Sequence, residues 1–196
     1  MSNPQPSQDA DPAALLQPLR RVRQVRQFTE QPLTDAQVDA IVDVGRWSGS
    51  SRNSQPWRFV VIRDAATVAR IGELGAPHTR ALTTARAVIA VVLPADPEHA
   101  ASLAFDDGRA AERMLVAANL LGLAAAIAWL PLGIRASVAE LLGIPADRAT
   151  RTLLALGHAA PEALASKSPT GQARLPRAET VMSERWREPE GRGTTG

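Results

Sequence analysis

Residues 47–57 read Trp47-Ser48-Gly49-Ser50-Ser51-Arg52-Asn53-Ser54-Gln55-Pro56-Trp57 and run directly into an apolar stretch, Arg58-Phe59-Val60-Val61-Ile62. Serine hydroxyls, the carboxamides of Asn53 and Gln55 and the guanidinium of Arg52 therefore crowd one short segment. So many donors and acceptors at one end of a strand suit a flat polar heteroaromatic ring, whose edge needs directed hydrogen bonds and whose faces need apolar cover. The same composition also makes an ordinary Ser/Gly/Asn turn between a helix and a strand. Taken alone, the segment fits both.

Two further clusters bear on the choice. Upstream lies Arg20-Arg21-Val22-Arg23-Gln24-Val25-Arg26-Gln27-Phe28. Guanidiniums packed this closely repel one another unless an anion sits among them, and a phosphate matches their fork geometry. The alternative is a solvated basic helix face. Near the C-terminus, Gln172-Ala173-Arg174-Leu175-Pro176 sets one arginine beside a rigid Leu-Pro step.

Several chemistries are excluded. The chain has no cysteine, hence no disulfide, thiolate nucleophile or Cys-based metal site. Its three histidines, His78, His99 and His158, have no partner at i+4 and no HExxH context, so no metal site is expected and they read as surface or loop residues. There is no phosphate-binding loop ending in Gly-Lys-Ser/Thr, no Gly-x-Ser-x-Gly elbow and no carboxylate cluster with metal-ligand spacing. An enzyme without these borrows its reactivity from an organic cofactor.

The chain has 196 residues, 45% of them hydrophobic, which suits one domain with extensions. The net charge is +2, and of 22 basic residues only Lys167 is a lysine. Arginine is spread along the chain and aromatics make up 4%, so a nucleic-acid surface is not expected. No apolar run approaches roughly 18 residues, so no membrane span is expected. Residues 1–12 lack the apolar core of a signal peptide, and a cytoplasmic protein is expected.

These clusters need elements to position them. Residues 1–12 read as a disordered tail, 13–160 as an α+β domain and 161–196 as a Pro/Gly/Arg-rich extension with isolated apolar anchors, lying on its own domain or on a partner. Helices are expected over Ala13–Val25, after a capping box at Thr34–Gln37, after the cap Asp64, over Pro77–Arg86, over residues 101–121 and over Ile134–Leu142. Strands are expected from Arg58, over the fully apolar run Ala87–Leu93, over Leu123–Leu130 and over Thr152–Leu156. Helices alternating with buried strands give a sheet covered on both faces.

The arginine segment with Phe28 and Pro32-Leu33, then Ser50-Ser51-Arg52-Asn53-Ser54-Gln55-Pro56-Trp57, resembles the nitroreductase family of FMN-dependent oxidoreductases. Further matches, in order, are the long helix from Gly108 to Gly122-Leu123, then Leu141-Leu142-Gly143-Ile144-Pro145, Leu156-Gly157-His158 and Arg174-Leu175-Pro176. The resemblance implies a sandwich with a mixed central sheet flanked by helices. It also implies an intimate homodimer with an extended C-terminal arm and FMN at the subunit interface. It implies FMN contacts from Arg23, Gln24, Arg26, Ser50, Ser51, Asn53, Gln55 and Arg174, and from the backbone at Ala128 and Trp129, with Ser50 and Ser51 reaching across from the other subunit. Arg52 and Phe105 are implied to face the substrate.

The implied activity is hydride transfer from NAD(P)H through flavin N5 to a small acceptor (nitroaromatic, quinone or enone) by ping-pong kinetics, with no side chain as obligatory acid. Val22 and Gln24 stand where the family usually carries Arg and Ser, and Gly49 where many members carry Pro. A non-enzymatic flavin-binding or interaction module keeping the fold is the alternative.

Overall fold

The structure, a computed structural model, describes residues 11–165 and 174–188. The chain divides between Leu164 and Ala165 into two compact units. In the first, the sheet has four strands: β1 (Arg58–Ile62), β2 (Ala87–Pro94), β3 (Ala124–Trp129) and β4 (Arg148–Gly157), in the order β1-β2-β4-β3. Every pairing is antiparallel, with Val60 opposite Ala90, Ile89 opposite Leu154 and Ala126 opposite Ala155. The expected mixed sheet is thus corrected among the described residues. Strands β2 and β3 run in the same sense but lie on either side of β4, which is antiparallel to both, so no two parallel strands pair.

The apolar run 87–93 is buried on both faces because two helical layers enclose it. Val88, Ala90 and Val92 face α4 (Ala65–Leu74) and α6 (Arg135–Leu141), packing with Val68, Ile71 and Val138. Ala87, Ile89, Val91 and Leu93 face α3 (Asp35–Arg46) and α5 (Ala100–Leu120), packing with Ile41, Met114 and Ala118. Alternate residues of a strand point to opposite faces, so an unbroken apolar run is what a doubly covered strand requires.

Helix boundaries follow local chemistry. The Thr34 hydroxyl accepts from Gln37 N at 3.2 Å while the Gln37 carboxamide accepts from Thr34 N at 2.9 Å, completing the expected capping box of α3. Asp64 accepts from Thr67 N and Oγ1, which caps α4 and holds the carboxyl below its usual range. Gly122, with φ of 71°, lets Leu123 N return to Ala118 O at 2.9 Å and ends α5.

The single helix expected over Ala13–Val25 is replaced by α1 (Pro12–Leu15) and α2 (Gln17–Arg21), followed by extended chain. Pro18 cannot donate the bond that would continue α1, and Val22 turns to ψ of 129°. Val25 then donates to Ala125 O at 2.9 Å, and Val25 and Phe28 are buried. Burying two apolar side chains at the sheet outweighs one more helical turn. The expected tail of residues 1–12 lies outside the described residues except for Asp11, which accepts from Ala13 N, and Pro12, which begins α1.

The helix expected over Pro77–Arg86 shrinks to a 3-10 turn at Arg80–Thr84, since Gly75 and Pro77 interrupt the ladder. Strand β4 starts at Arg148 rather than Thr152, because a bulge between Val91 and Val92 absorbs Arg151 and lets pairing continue through Thr150 and Arg148. Among the described residues no helix is long and apolar enough to cross a membrane. The second unit contributes α7 (Arg177–Thr180), entered from Pro176.

Candidate functional site

The polar loop leaves the end of α3 and enters β1, and its backbone is unusual. Arg52, Asn53 and Gln55 have φ of 51°, 53° and 47°. Left-handed backbone is common for Asn but costs about 1–3 kcal/mol at a long side chain, so the surroundings must impose it. They do so from four sides. Ser51 N donates to both carboxylate oxygens of Asp106, each at 3.2 Å. Ser50 Oγ accepts from Gln55 N at 2.9 Å, and Asn53 Oδ1 accepts from Gln55 Nε2 at 3.4 Å. Arg58 Nη1 donates to Gln55 O and Trp57 O, and Arg148 Nη1 to Pro56 O. The loop is a fixed form, with the side chains of Ser51, Arg52, Asn53 and Gln55 at the surface.

Asp106 is buried, and its next neighbour Asp107 is too. Asp107 accepts from Thr152 Oγ1 at 2.8 Å and lies 3.6 Å from Arg151 Nε. Burial pushes its carboxyl above the usual range, against the pull of Thr152, Arg151 and Arg135. Burial, with Arg151 nearby, lowers Arg135 in turn. The Arg135 guanidinium sits 5.2 Å from the Trp129 ring.

The arginine segment takes the opposite edge. Gln24 Oε1 accepts from Ile127 N at 3.1 Å and from Arg26 Nη2 at 3.2 Å, so one carboxamide ties the segment to β3 and orients the arginine beside it. Arg23 Nη2 donates to Leu164 O at 2.6 Å. Gln24 and Arg26 thus lie along the strand that carries Ala128, buried, and Trp129, half exposed.

The expected residues therefore form two sets within the first unit. Ser50, Ser51, Arg52, Asn53 and Gln55 gather on the β1 side, where Phe105 projects from α5 over a depression shared with Gly49, Gly108 and Arg113. Arg23, Gln24, Arg26, Ala128 and Trp129 gather on the β3 side. Strands β1 and β3 are opposite edges of the sheet, three strand spacings or about 14 Å apart. Arg174 lies in the second unit, just before Leu175-Pro176 and α7.

Sequence reasoning missed Asp106, Arg58 and Arg148, which hold the loop from outside it. It also missed the pair of Asp96 with His99, whose Nδ1 is 2.7 Å from Asp96 Oδ2; the i, i+3 spacing of acid and imidazole was the available signal. The hydrogen bond from His99 holds the Asp96 carboxyl below its usual range. No group of three or more His, Asp or Glu that could hold a metal occurs among the described residues.

Known proteins are similar to this chain in sequence and fold. The model of the nitroreductase family matches residues 19–91, the span holding the arginine segment, the polar loop, β1 and most of β2. A protein of Archaeoglobus fulgidus named for NADH dehydrogenase/NAD(P)H nitroreductase activity is 28% identical over 144 residues, covering 69% of this chain and 80% of that protein. A nitroreductase of Desulfovibrio desulfuricans, solved in complex with FMN, is 27% identical, with a TM-score of 0.69 over 85% of this chain and 97% of its own. The hypothetical oxidoreductase YcnD of Bacillus subtilis shares the fold, with a TM-score of 0.77 at 22% identity over 89% of this chain and 75% of its own. The arginine segment and the Ser-Ser-x-Asn-x-Gln-Pro-Trp loop both fall inside the matched span, so over that span the chain is similar to the nitroreductase family.

Proposed function

We propose that the chain is an FMN-dependent NAD(P)H oxidoreductase that works as a homodimer. The observation that carries this reading is the fixed polar loop on one sheet edge and the arginine-bearing segment on the other. Each is half of a ligand cradle, and a twofold dimer brings the loop of one subunit to the β3 edge of its partner. The α5 surface around Phe105, which is 73% exposed, and Trp47, which is 74% exposed, offers apolar area for such a contact.

The donor set fits FMN. Arg23 and Arg26 supply guanidiniums for its phosphate. Gln24 keeps its Nε2 for the ligand, because its oxygen already serves Ile127 N and Arg26. From the partner, Ser50, Ser51, Asn53 and Gln55 reach the ribityl chain and the ring edge, while the backbone at Ala128 and Trp129 faces the ring. FMN held there would supply hydride transfer between NAD(P)H and a second substrate.

The protein's own task is to position, polarise and exclude water. The loop is already fixed, so little reorganisation is needed when charge develops at the ring edge. Arg52 and Phe105 line the place where NAD(P)H and then the acceptor lie in turn, one guanidinium and one aromatic ring for a flat electron-poor molecule. One place serving both substrates gives ping-pong kinetics, with a nitroaromatic, quinone or enone as acceptor.

Purified protein tests this directly. A yellow protein with a flavin spectrum that bleaches on adding NAD(P)H and recovers on adding an acceptor supports the reading. A chain that stays colourless after incubation with FMN sinks it, and one that binds FMN without bleaching is a flavin carrier instead.

A further inference from the structure

A second cleft, of about 560 Å³, opens between the loop, the end of β2 and the first turns of α5. Arg52 from the loop, Arg58 from the start of β1 and Arg148 from the start of β4 all line it, together with Asp96, His99 and Ser102. Two of these guanidiniums are anchored through one nitrogen only: Arg58 Nη1 on Gln55 O and Trp57 O, Arg148 Nη1 on Pro56 O. Among the described residues nothing takes their remaining N–H groups. Among the described residues none of the three arginines has a carboxylate oxygen within 4.0 Å, whereas Arg46, Arg63, Arg70, Arg109 and Arg151 each do.

The two carboxylates at the cleft are engaged elsewhere. Asp96 accepts from Glu98 N, His99 N and His99 Nδ1. Asp106 accepts from Ser51 N and lies 3.8 Å from Arg109. With Nδ1 on Asp96, His99 has Nε2 left for a ligand. The Ser102 hydroxyl donates to His99 O and keeps its lone pairs.

We propose that this cleft binds a phosphate monoester. A carboxylate is satisfied by a single guanidinium fork. Three guanidiniums held on separate segments instead match a dianion with three peripheral oxygens. The cleft adjoins the proposed flavin cradle through the loop, with Ser51, Arg52 and Gln55 lining its wall, while Arg58, Arg148, His99 and Ser102 lie outside the cradle. A phosphate of the nicotinamide nucleotide and a phosphate on the acceptor are the two sources of this chemistry.

The test is calorimetric titration of the purified full-length, flavin-loaded protein with inorganic phosphate in a low-salt, phosphate-free buffer. Native protein should bind saturably. Arg148→Gln and Arg58→Gln should bind about tenfold more weakly or worse, the loss of one charge-assisted contact, with partial recovery in Arg148→Lys. Because Arg58 and Arg148 also brace the loop, Arg52→Gln serves as the control: its side chain makes no hydrogen bond among the described residues, so its weakening of phosphate binding cannot come from an unbraced loop.

Phosphate that competes with NADPH but not with NADH identifies the source as the nucleotide's extra phosphate. Phosphate that binds without affecting either nucleotide assigns the site to a phosphorylated acceptor. No saturable binding in the native protein, or equal binding in all three folded glutamine variants, overturns the proposal. Release of bound flavin by phosphate overturns it too, by giving the cleft to FMN itself. A colourless chain that still binds phosphate leaves this site standing while the flavin reading falls.

Discussion

Asp106 and Asp107 stand side by side on α5 and face different partners, one holding the loop through Ser51 N and the other holding β4 through Thr152. Burial lifts the Asp107 carboxyl, so the folded chain keeps this proton at pH values where the unfolded chain has released it. The folded state binds more protons in that window, and Asp107 therefore lowers stability as pH rises through it. Asp107→Asn does not titrate. The melting temperature of the variant minus that of the native protein should increase from about pH 4 upward and then level off; a difference that is flat or falls with pH contradicts the sign. At the surface, Arg52→Ala should raise the acceptor KM about tenfold, the loss of one charge-assisted contact, with flavin content unchanged. Loss of flavin instead would move Arg52 from the acceptor to the cofactor. The loop's residue types advertised a polar site, but Arg52 and Gln55 at positive φ were not legible, because that backbone is imposed by Asp106 and Arg148 from 55 and 92 residues away.

Among the elements, those fixed by local chemistry were legible. The Thr34–Gln37 capping box, the Asp64 cap and the Gly122 stop each lie within a few residues of what they control. The segment from Val22 to Phe28 was not, since a helix and an edge strand are both open to it until β3 is present to accept from Val25 N. Gly157 shows how tightly this strand is seated. A Cβ placed there would lie 2.7 Å from Phe28 Cβ and 2.8 Å from Phe28 Cγ. Phe28 is buried, so its ring has nowhere to swing. Gly157→Ala should cost about 1–3 kcal/mol, as overpacked cores do, measured as a lower urea midpoint with unchanged slope. A midpoint equal to the native one would mean that Phe28 and its segment yield freely.

For the molecule as a whole, the sheet order puts the two halves of the proposed site at opposite edges of one chain. Its loop belongs to β1 and its arginine segment to β3, the two ends of the order β1-β2-β4-β3. Residue types along a chain do not tell residues that would share a site within one subunit from residues that would share it only across a partner, and the expected residues lie in two sets. Mixed dimers test this. An Arg23→Ala/Arg26→Ala chain and an Asn53→Ala/Gln55→Ala chain should each form colourless homodimers. A co-purified mixed dimer keeps one intact cradle and should carry half the native flavin. A mixed dimer as empty as its parents would place the whole cradle in one chain.

The seating of Val22 to Phe28 on β3 has another consequence. Beneath it, β3 reads Ala-Ala-Ala-Ile-Ala-Trp, a strand with almost no charge and small side chains that allow close approach. With Val25 N on Ala125 O and the Gln24 carboxamide on Ile127 N, its outer hydrogen-bonding row is occupied. A chain trimmed past Phe28 would present that row bare, and a bare apolar edge is a template for strands of other molecules. The stretch that carries Arg23 and Arg26 thus also guards the fold against aggregation, so N-terminal trimming would remove the protein from solution before its effect on flavin could be seen.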